Sequence, residues 1–469
     1  MLFNSAVFLI FAVIFFLGWP LLRSGARRRW IFLIAASAVF YGWWDLRFLL
    51  LILASGLLDF AVGLGMERFP RRRRALLLAS IVGNVGSLAT FKYLGFFTAN
   101  LNAALAGLGF DAAIPAVQLT LPVGISFYTF QSMSYTIDIY RGQIRPTHSV
   151  LHFFAYLAMF PQLVAGPIVR ARDLLPQLEH AGPTTATQRW EGIKLLTHGY
   201  FKKVVIADNL APAVNAAFGS ATSGESALFW WVVVSMFAFQ IYCDFSGYSD
   251  IARGLARWMG YDFPRNFDHP YVSSSIREFW TRWHISLSTW FRDYVYIPLG
   301  GNRLGAALGH RNMWATMVVS GLWHGAAWTF LAWGVLHALY FSIERLTGWP
   351  DRLKQLPGGR HLATLLVVLQ VWVAWVVFRA ENIGQAADIL ARMFGTGFAL
   401  DPVLAIGAAP LIALGVGIAR EAYFYFGLDK GRFARSRLGI ALEPVGIAVL
   451  IAACIFLRGK GNDFIYFQF

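Results

Sequence analysis

Apolar residues in this chain are gathered in blocks of about 20, the length that crosses the roughly 30 Å of hydrocarbon in a bilayer. Residues 151–169 are also apolar, but Pro161, Gly166 and Pro167 favour a break or a re-entrant turn there. We expect an all-α polytopic membrane protein with roughly 10–12 transmembrane or half-crossing helices. The predicted membrane segments are residues 3–22, 30–44, 48–65, 75–97, 119–138, 193–218, 227–257, 313–341, 362–379, 403–424 and 440–457.

Composition supports this interpretation. The 469 residues are 57% hydrophobic and only 14% charged, whereas a soluble domain carries about 25% charged residues. The first apolar segment, from Leu2 to Leu22, has no basic region before it and no small-residue cleavage signal, so it should remain as a membrane span. No long hydrophilic linker or internal repeat divides the chain, and a single membrane domain over residues 1–469 is expected.

The net charge of +15 is placed in short loops. Basic loops at 23–29, 68–74 and 141–148 alternate with nearly neutral loops at 45–47 and 98–117, the second of which contains Asp111. The positive-inside rule makes the basic loops cytoplasmic, which predicts an extracytoplasmic N-terminus. Nucleic-acid binding is disfavoured, because positive charge divided among short loops between apolar segments is typical of residues that set membrane topology. The aromatic run at 464–469 predicts an interface anchor.

His324 is the main candidate for chemistry. It lies in the run 313–341, which has no charged residue apart from its two histidines. If that run is one helix about 43 Å long, His324 lies near its midpoint, flanked by Gly321 and Gly325, which allow close approach of a backbone or a ligand. A desolvated imidazole stays neutral and suits a general base. The alternative is a histidine that bridges two helices. His337 should point to another face and lie at the membrane interface.

His284 stands in the segment REFWTRWHISLSTWFRDYV. On one continuous helix, ended by Pro298 and the glycines that follow, it lies on an aromatic face. A functional histidine and a packing histidine bonded to a carbonyl both fit this pattern. The same face or its flank carries Arg277, Trp280, Ser288 and Phe291.

A third group of polar residues runs from Tyr242 to Asp250. Asp250 shares a helical face with Arg253 and Arg257, which predicts a structural ion pair. Asp244 has no basic partner on its own helix and is expected to hold a histidine or an arginine from another one. The residues predicted to support the site or line a tunnel are Tyr242, Asp244, Ser246, Asp250, Arg277, Trp280, Ser288 and Trp323.

Several chemistries are excluded by missing motifs. The sequence has no P-loop, no H-E-x-x-H and no G-x-S-x-G. Cys243 and Cys454 lie far apart in apolar segments, so neither a disulfide framework nor a metal site is expected.

Six long motifs, in order, resemble the membrane-bound O-acyltransferase family, in the branch of the alginate O-acetyltransferases. The resemblance covers nearly the whole chain, and so many long motifs in the same order make it highly specific, although they do not specify a substrate. The motifs are LPVGISFYTFQSMSYTIDIYRG (121–142), FPQLVAGPIVR (160–170), FKKVVIADNLA (201–211), YCDFSGYSDIARGLARWMGYDFPRNFDHPY (242–271), REFWTRWHISLSTWFRDYVYIPLGGNR (277–303) and GLWHGAAWTFLAWG (321–334).

The resemblance implies that His324 is the catalytic histidine and His284 the second important one. It implies a ring of helices around a tunnel in a bacterial inner membrane, no covalently bound cofactor, and acetyl-CoA as the acyl donor. It also implies a separate extracytoplasmic protein or small carrier that passes the acetyl group to alginate, cellulose or a peptidoglycan-type polymer, within a polysaccharide synthesis and export complex. Basic residues that could contact CoA phosphates, or only set topology, are Lys202, Lys203, Arg292, Arg303 and Arg311.

Three other functions remain open at this stage. The same fold could transfer D-alanine from a carrier-protein thioester. A transporter could use intramembrane histidines to relay protons or bind substrate. A structural subunit of an export complex would need neither histidine.

Overall fold

The chain is helical, as expected, in a computed structural model that describes residues 1–110, 114–115, 119–180, 182–219, 226–303, 305–431, 436–461 and 464–465. Asp111 and the last four residues of the aromatic run 464–469 lie outside that part. Two π-helical segments, Phe201–Ala207 and Arg292–Tyr296, continue helices. The α-helices are α1 Ala6–Leu22, α2 Ala26–Gly42, α3 Arg47–Arg68, α4 Arg73–Gly107, α5 Ile125–Tyr140, α6 Val150–Leu157, α7 Phe160–Leu163, α8 Ala171–Glu179, α9 Ala186–Tyr200, α10 Asp208–Gly219, α11 Ala227–Met259, α12 Ile276–Arg282, α13 Ile285–Phe291, α14 Ala306–His324, α15 Trp328–Thr347, α16 Trp349–Lys354, α17 Gly359–Arg379, α18 Ile383–Met393, α19 Asp401–Leu404, α20 Ala408–Tyr425 and α21 Arg437–Phe456.

Several helices are long and apolar enough to cross a membrane. Among the described residues, length and composition select five helical runs, and α1 is a shorter apolar helix of 17 residues. The number of crossings predicted from the sequence, and the central tunnel, stay predictions. The five runs are Arg47–Arg68, Pro70–Gly107, Ala227–Met259, Gly359–Arg379 and Arg437–Phe456.

Contacts within the chain form two compact units. The first contains Met1–Gly192 and Ala252–Pro264, and the second contains Ile193–Ile251 and Arg265–Phe469. Both predicted histidines, His284 and His324, belong to the second unit. The single domain expected from the sequence stays a prediction.

A buried carboxylate joins three helices of the first unit. Asp59 on α3 accepts hydrogen bonds from Ser80 Oγ (2.5 Å) and Asn84 Nδ2 (2.8 Å) on α4, and from Ser132 Oγ on α5. Ser80 also bonds Thr136 on α5 at 2.9 Å. A buried polar group is costly unless it is hydrogen-bonded, and these partners satisfy both carboxylate oxygens.

The apolar run 151–169 breaks, as its prolines and glycine predict. It forms the short helices α6 and α7, and side chains satisfy the backbone between them. Ser37 Oγ accepts from Phe160 N at 3.0 Å, and Gln162 Nε2 donates to Tyr156 O at 2.7 Å. This segment is therefore held by specific buried hydrogen bonds.

Three cations of the predicted first basic loop, Arg27 to Arg29, lie within helix α2 instead. Arg29 lies within α2, is buried, and donates to the carbonyl oxygens of Leu178 (2.7 Å) and Glu179 (2.8 Å) at the end of α8. It caps that helix end, where the last carbonyl groups have no partner within the helix.

The run 313–341 in the second unit is two helices, so the expectation of one helix was wrong. α14 ends at His324, Gly325 is extended, and α15 begins at Trp328. The two helices pack closely: a Cβ on Gly321 would lie 2.4 Å from Phe330 O, and one on Gly334 would lie 2.6 Å from Met317 O. Hydropathy is the same for a long helix and for a hairpin of two apolar helices, which is why the pattern missed the turn.

Gly321→Ala should lower the free energy of unfolding by about 1–3 kcal/mol, because its methyl group meets backbone that cannot move aside. The measurement is the midpoint of thermal unfolding in detergent. Gly415→Ala on α20 is the matched control, since its Cβ would meet open space. Equal midpoints for the two variants would contradict close packing of α14 on α15.

Candidate active site

His324 lies at the end of a helix and inside an aromatic enclosure. It is the last residue of α14, and 5% of its surface is exposed. The ring centroids of Trp323, Trp333 and Phe378 lie 5.0, 5.0 and 5.3 Å from that of the imidazole. The sequence correctly predicted a buried histidine, but placed it at the middle of a helix instead of at a break.

His284 also lies at a break, between α12 and α13. Its φ of 41° is in the left-handed region, which non-glycine residues rarely adopt. The continuous helix assumed from the sequence is therefore interrupted, and its aromatic face is not one helical face. The imidazole is fully buried, with Phe245 at 4.5 Å and Phe267 at 6.2 Å between ring centroids.

Asn266 fixes the turn that contains His284. Its carbonyl oxygen accepts from Ile285 N (2.8 Å), and its Oδ1 accepts from Ser286 N (3.2 Å) and Ser286 Oγ (2.9 Å). Its Nδ2 donates to Ser249 Oγ on α11 at 3.0 Å. These bonds hold a strained backbone in place, and strain of this kind is concentrated at functional sites.

Trp323 connects the two histidines. Its ring centroid lies 5.0 Å from that of His324 and 6.3 Å from that of His284. Two imidazoles from different helix breaks thus contact one indole. The structure brings together the two residues that the sequence placed first.

A cavity of about 820 Å³ adjoins this cluster through Phe291, whose ring lies 6.4 Å from that of Trp323. Neither histidine is among the residues that line it. Its walls come from α12, α13, the π segment after α13, α14 and α15. Three arginines line it: Arg277, Arg292 and Arg345. Of the residues predicted to support the site, Arg277, Trp280 and Ser288 line the cavity. The other lining residues include Thr281, Ile285, Leu287, Thr289, Phe291, Tyr296, Asn302, Met313, Thr316, Met317, Ser320 and Phe341.

Asp244 pairs with a lysine instead of the expected histidine or arginine. Lys203 Nζ lies 2.8 Å from Asp244 Oδ1 and 3.0 Å from Asp208 Oδ1, and all three side chains are buried. Ile465 N donates to Asp244 Oδ2 at 2.8 Å, and the neighbouring Phe464 packs 5.7 Å from Phe245. Asp244 thus supports the helix whose Phe245 contacts His284.

The remaining residues of the α11 group have structural contacts. Asp250 pairs with Lys202 on the π segment at 2.6 Å, and Arg257 pairs with Asp262 at 3.2 Å. Tyr242 is buried with its ring 6.3 Å from that of Trp283, and Ser246 is buried on the same helix.

The five cations predicted to contact CoA divide into three groups. Lys202 and Lys203 are buried in ion pairs, so their ammonium groups already have carboxylate partners, and their contact with CoA stays a prediction. Arg292 lines the cavity and pairs with Asp293 at 2.7 Å. Arg303 and Arg311 are exposed but are not among the residues lining the cavity.

Comparison with known proteins identifies the family. The model of the membrane-bound O-acyltransferase family matches residues 140–383. The chain is 41% identical over 438 residues, 92% of its length and 82% of the relative's, to a probable alginate O-acetylase of Pseudomonas aeruginosa. The chain belongs to the membrane-bound O-acyltransferase family.

Two other relatives differ in the group that their names say they transfer. A peptidoglycan O-acetyltransferase of Helicobacter pylori is 35% identical over 84% of this chain and 80% of the relative. A teichoic acid D-alanyltransferase of Bacillus subtilis is 28% identical over 53% of this chain and 65% of the relative. The O-acetyltransferases are more nearly identical to this chain than the D-alanyltransferase is, and their matches cover a larger share of it.

Sequence reasoning missed two residues of this acyltransferase. His337 is buried and contacts Trp280 and Trp333, whereas its predicted place at the membrane interface stays a prediction. The sequence pattern that singled out His324, a histidine in an apolar run, also applies to His337. Arg345, which lines the cavity, had no sequence signal because it follows Glu344 at the charged end of α15.

The arrangement suits proton transfer in a dry environment. Both imidazoles are enclosed by aromatic rings, and the neighbouring cavity has cations on its wall. Within the ranges that the structure describes, no cluster of three or more histidine, cysteine or acidic side chains is placed to hold a metal ion.

Lys203→Met should destabilise the acyltransferase by about 3–5 kcal/mol, because it leaves Asp208 and Asp244 buried without their cation. The thermal unfolding midpoint measures this, and Asp244→Asn added to Lys203→Met should recover part of the loss. Lys194→Met, which breaks the partly exposed pair with Glu443, is the control and should cost at most about 1 kcal/mol. If Lys203→Met and Lys194→Met lower the unfolding midpoint equally, Lys203 is not the cation that stabilises the two buried carboxylates.

Proposed function

We propose that this protein is a membrane O-acetyltransferase that passes acetyl groups from cytoplasmic acetyl-CoA across the membrane for O-acetylation of an extracytoplasmic polysaccharide. The observation that carries the proposal is the contact of His284 and His324 with one indole beside a cavity lined by arginines. The polymers named for its relatives, alginate and peptidoglycan, give the substrate class.

In the proposed reaction His324 is the general base. It removes the proton of an acceptor hydroxyl as the oxygen attacks the thioester carbonyl of acetyl-CoA. The new C–O bond forms, the C–S bond breaks, and the proton passes from the imidazole to the departing CoA sulfur. His284 orients the acceptor or the carbonyl from the other side of Trp323. The aromatic enclosure keeps out water, which would otherwise hydrolyse the thioester.

The donor is proposed to bind in the 820 Å³ cavity. CoA carries phosphate groups, and arginine recognises phosphate through paired N–H donors. Arg277, Arg292 and Arg345 supply such groups, whereas the apolar wall formed by α13 and α14 suits the pantetheine chain and the acetyl group. The proposal requires that the cavity opens on the cytoplasmic side.

The acceptor lies on the other side of the membrane in this scheme. Acetyl-CoA is cytoplasmic and an exported polysaccharide is already outside, so only the acetyl group has to cross. We propose that an extracytoplasmic protein or a small carrier takes the acetyl group to the polymer. The protein is then a multi-pass component of a bacterial inner membrane with its N-terminus outside, beside a polysaccharide synthesis and export complex.

A second candidate keeps the fold and changes the donor to a D-alanyl carrier protein. The similarity to the teichoic acid D-alanyltransferase supports it, although that match covers 53% of this chain. Membranes containing the protein would be incubated with labelled acetyl-CoA or with a carrier charged with labelled D-alanine. If label is incorporated only from the charged carrier, the donor is the D-alanyl carrier protein and not acetyl-CoA.

His324→Ala should lower acetylation of the polysaccharide by at least about 10²-fold, the usual contribution of a general base. The readout is acetate released from the purified polymer by mild alkali, together with the amount of inserted protein. His148→Ala is the control, since His148 is exposed in the first unit and pairs with Glu67. Undiminished acetate in the His324 variant would remove this residue from the mechanism.

Arg277→Gln and Arg345→Gln should each raise the Kd for CoA about tenfold, because each removes a charge-assisted hydrogen bond to a phosphate. Binding would be measured on the full chain in lipid nanodiscs. Arg360→Gln, an exposed change outside the cavity, should leave the Kd unchanged. If Arg303→Gln weakens binding and the two cavity variants do not, the phosphates bind at the loop before α14 instead.

A further inference from the structure

Two side chains of α15 hold α12 by hydrogen bonds. His337 Nδ1 accepts from Trp280 Nε1 at 3.3 Å, and Glu344 Oε2 accepts from Ile276 N at 2.6 Å. Positions 337 and 344 are two helical turns apart and share one face of α15, and positions 276 and 280 share one face of α12. The short helix α12, which has only seven residues, is therefore fixed at both its start and its middle.

The hydrogen bond to Trp280 determines the state of His337. An indole N–H can only donate, so Nδ1 of His337 must be unprotonated and the ring is the neutral tautomer with its proton on Nε2. The imidazole is buried against Trp280 and Trp333, with ring centroids 5.1 and 4.7 Å away. It can therefore hold the indole of Trp280 in one orientation.

Trp280 stands between the cavity and the enclosure of His324. It lines the 820 Å³ cavity, and its ring lies 5.7 Å from that of Trp333. Trp333 in turn lies 5.0 Å from His324. The orientation of the Trp280 indole thus determines how far the cavity extends towards Trp333, the ring that contacts His324.

We propose that His337 is a positioning residue that fixes Trp280 as a wall, and that this wall limits the transferred acyl group to a short one. The inference rests on the proposed function, because it assumes that an acyl-CoA occupies the cavity. Without the acceptor at Nδ1 the indole can rotate away from α15, and the space beside Trp333 becomes open to a longer chain. His337 contributes no atom to the reaction.

The test compares variants that differ in the acceptor atom. His337→Phe keeps a ring and removes the acceptor, whereas His337→Asn can place Oδ1 where Nδ1 lies. Trp280→Phe removes the donor. Each full-length variant in lipid nanodiscs would be titrated with two non-transferable CoA ketone analogues, one with the chain length of acetyl and one with that of butyryl.

The readout is the ratio of the two Kd values. The unmodified protein should prefer the acetyl-length analogue about tenfold or more, as expected for a pocket that excludes extra methylenes. His337→Phe and Trp280→Phe should each lower that preference at least about fivefold, His337→Asn should retain it, and the double variant His337→Phe with Trp280→Phe should lower it no further than either change alone. A purely structural role would weaken both analogues equally and leave the ratio constant.

The outcomes separate this inference from the proposed function. An unchanged ratio in His337→Phe, with tight binding of the acetyl-length analogue, overturns the positioning role alone, whatever the ratio in Trp280→Phe. Failure of the unmodified protein to bind either analogue overturns the CoA donor and this inference with it. If His337→Phe does not fold, as judged by size-exclusion chromatography, His337→Leu, which also removes the acceptor at Nδ1 and leaves Trp280 in place, replaces it in the comparison.

Discussion

Peptide groups that are freed where a helix breaks inside an apolar bundle must find hydrogen-bond partners within the protein. The second unit meets this constraint with a few side chains: Asn266 serves the turn at His284, and Ser275 and Glu344 serve the first turn of α12. Both proposed catalytic histidines lie at such breaks. The polar groups needed for chemistry are thus located where the backbone already requires polar partners.

Close contact between the backbones of α9 and α11 allows a set of buried ion pairs to form between the π segment and α11. A Cβ on Gly199 would lie 2.7 Å from Gly247 O, and one on Gly247 would lie 2.7 Å from Gly199 O, so α9 and α11 touch. The π segment follows directly, and its successive lysines, Lys202 and Lys203, are both buried and reach carboxylates of α11. Since a π turn changes the angle between consecutive side chains, it helps two adjacent residues to face the same helix.

Much of this architecture follows from the sequence, because apolar runs, prolines and glycines are local signals. They predicted an all-α membrane protein, the break after residue 150 and the burial of His324. The turn after His324 was missed, and the predicted face of His337 depended on one helix continuing through that break. Partners distant in sequence were also missed, as when Asp244, expected to hold a histidine or an arginine, pairs with Lys203. Spacing along one helix contains no information about the helix opposite.

The hydrogen bond from Ile465 to Asp244 joins residues 221 positions apart and has a consequence for biosynthesis. Residues 464–465 are translated after every helix described above, so α11 enters the membrane before this partner exists. Until then the ion-pair partner of Asp244 is Lys203, which it shares with Asp208 and which precedes it in the chain. The aromatic layer around Phe245 and His284 is consequently completed at a late stage of synthesis, when Phe464 takes its place against it.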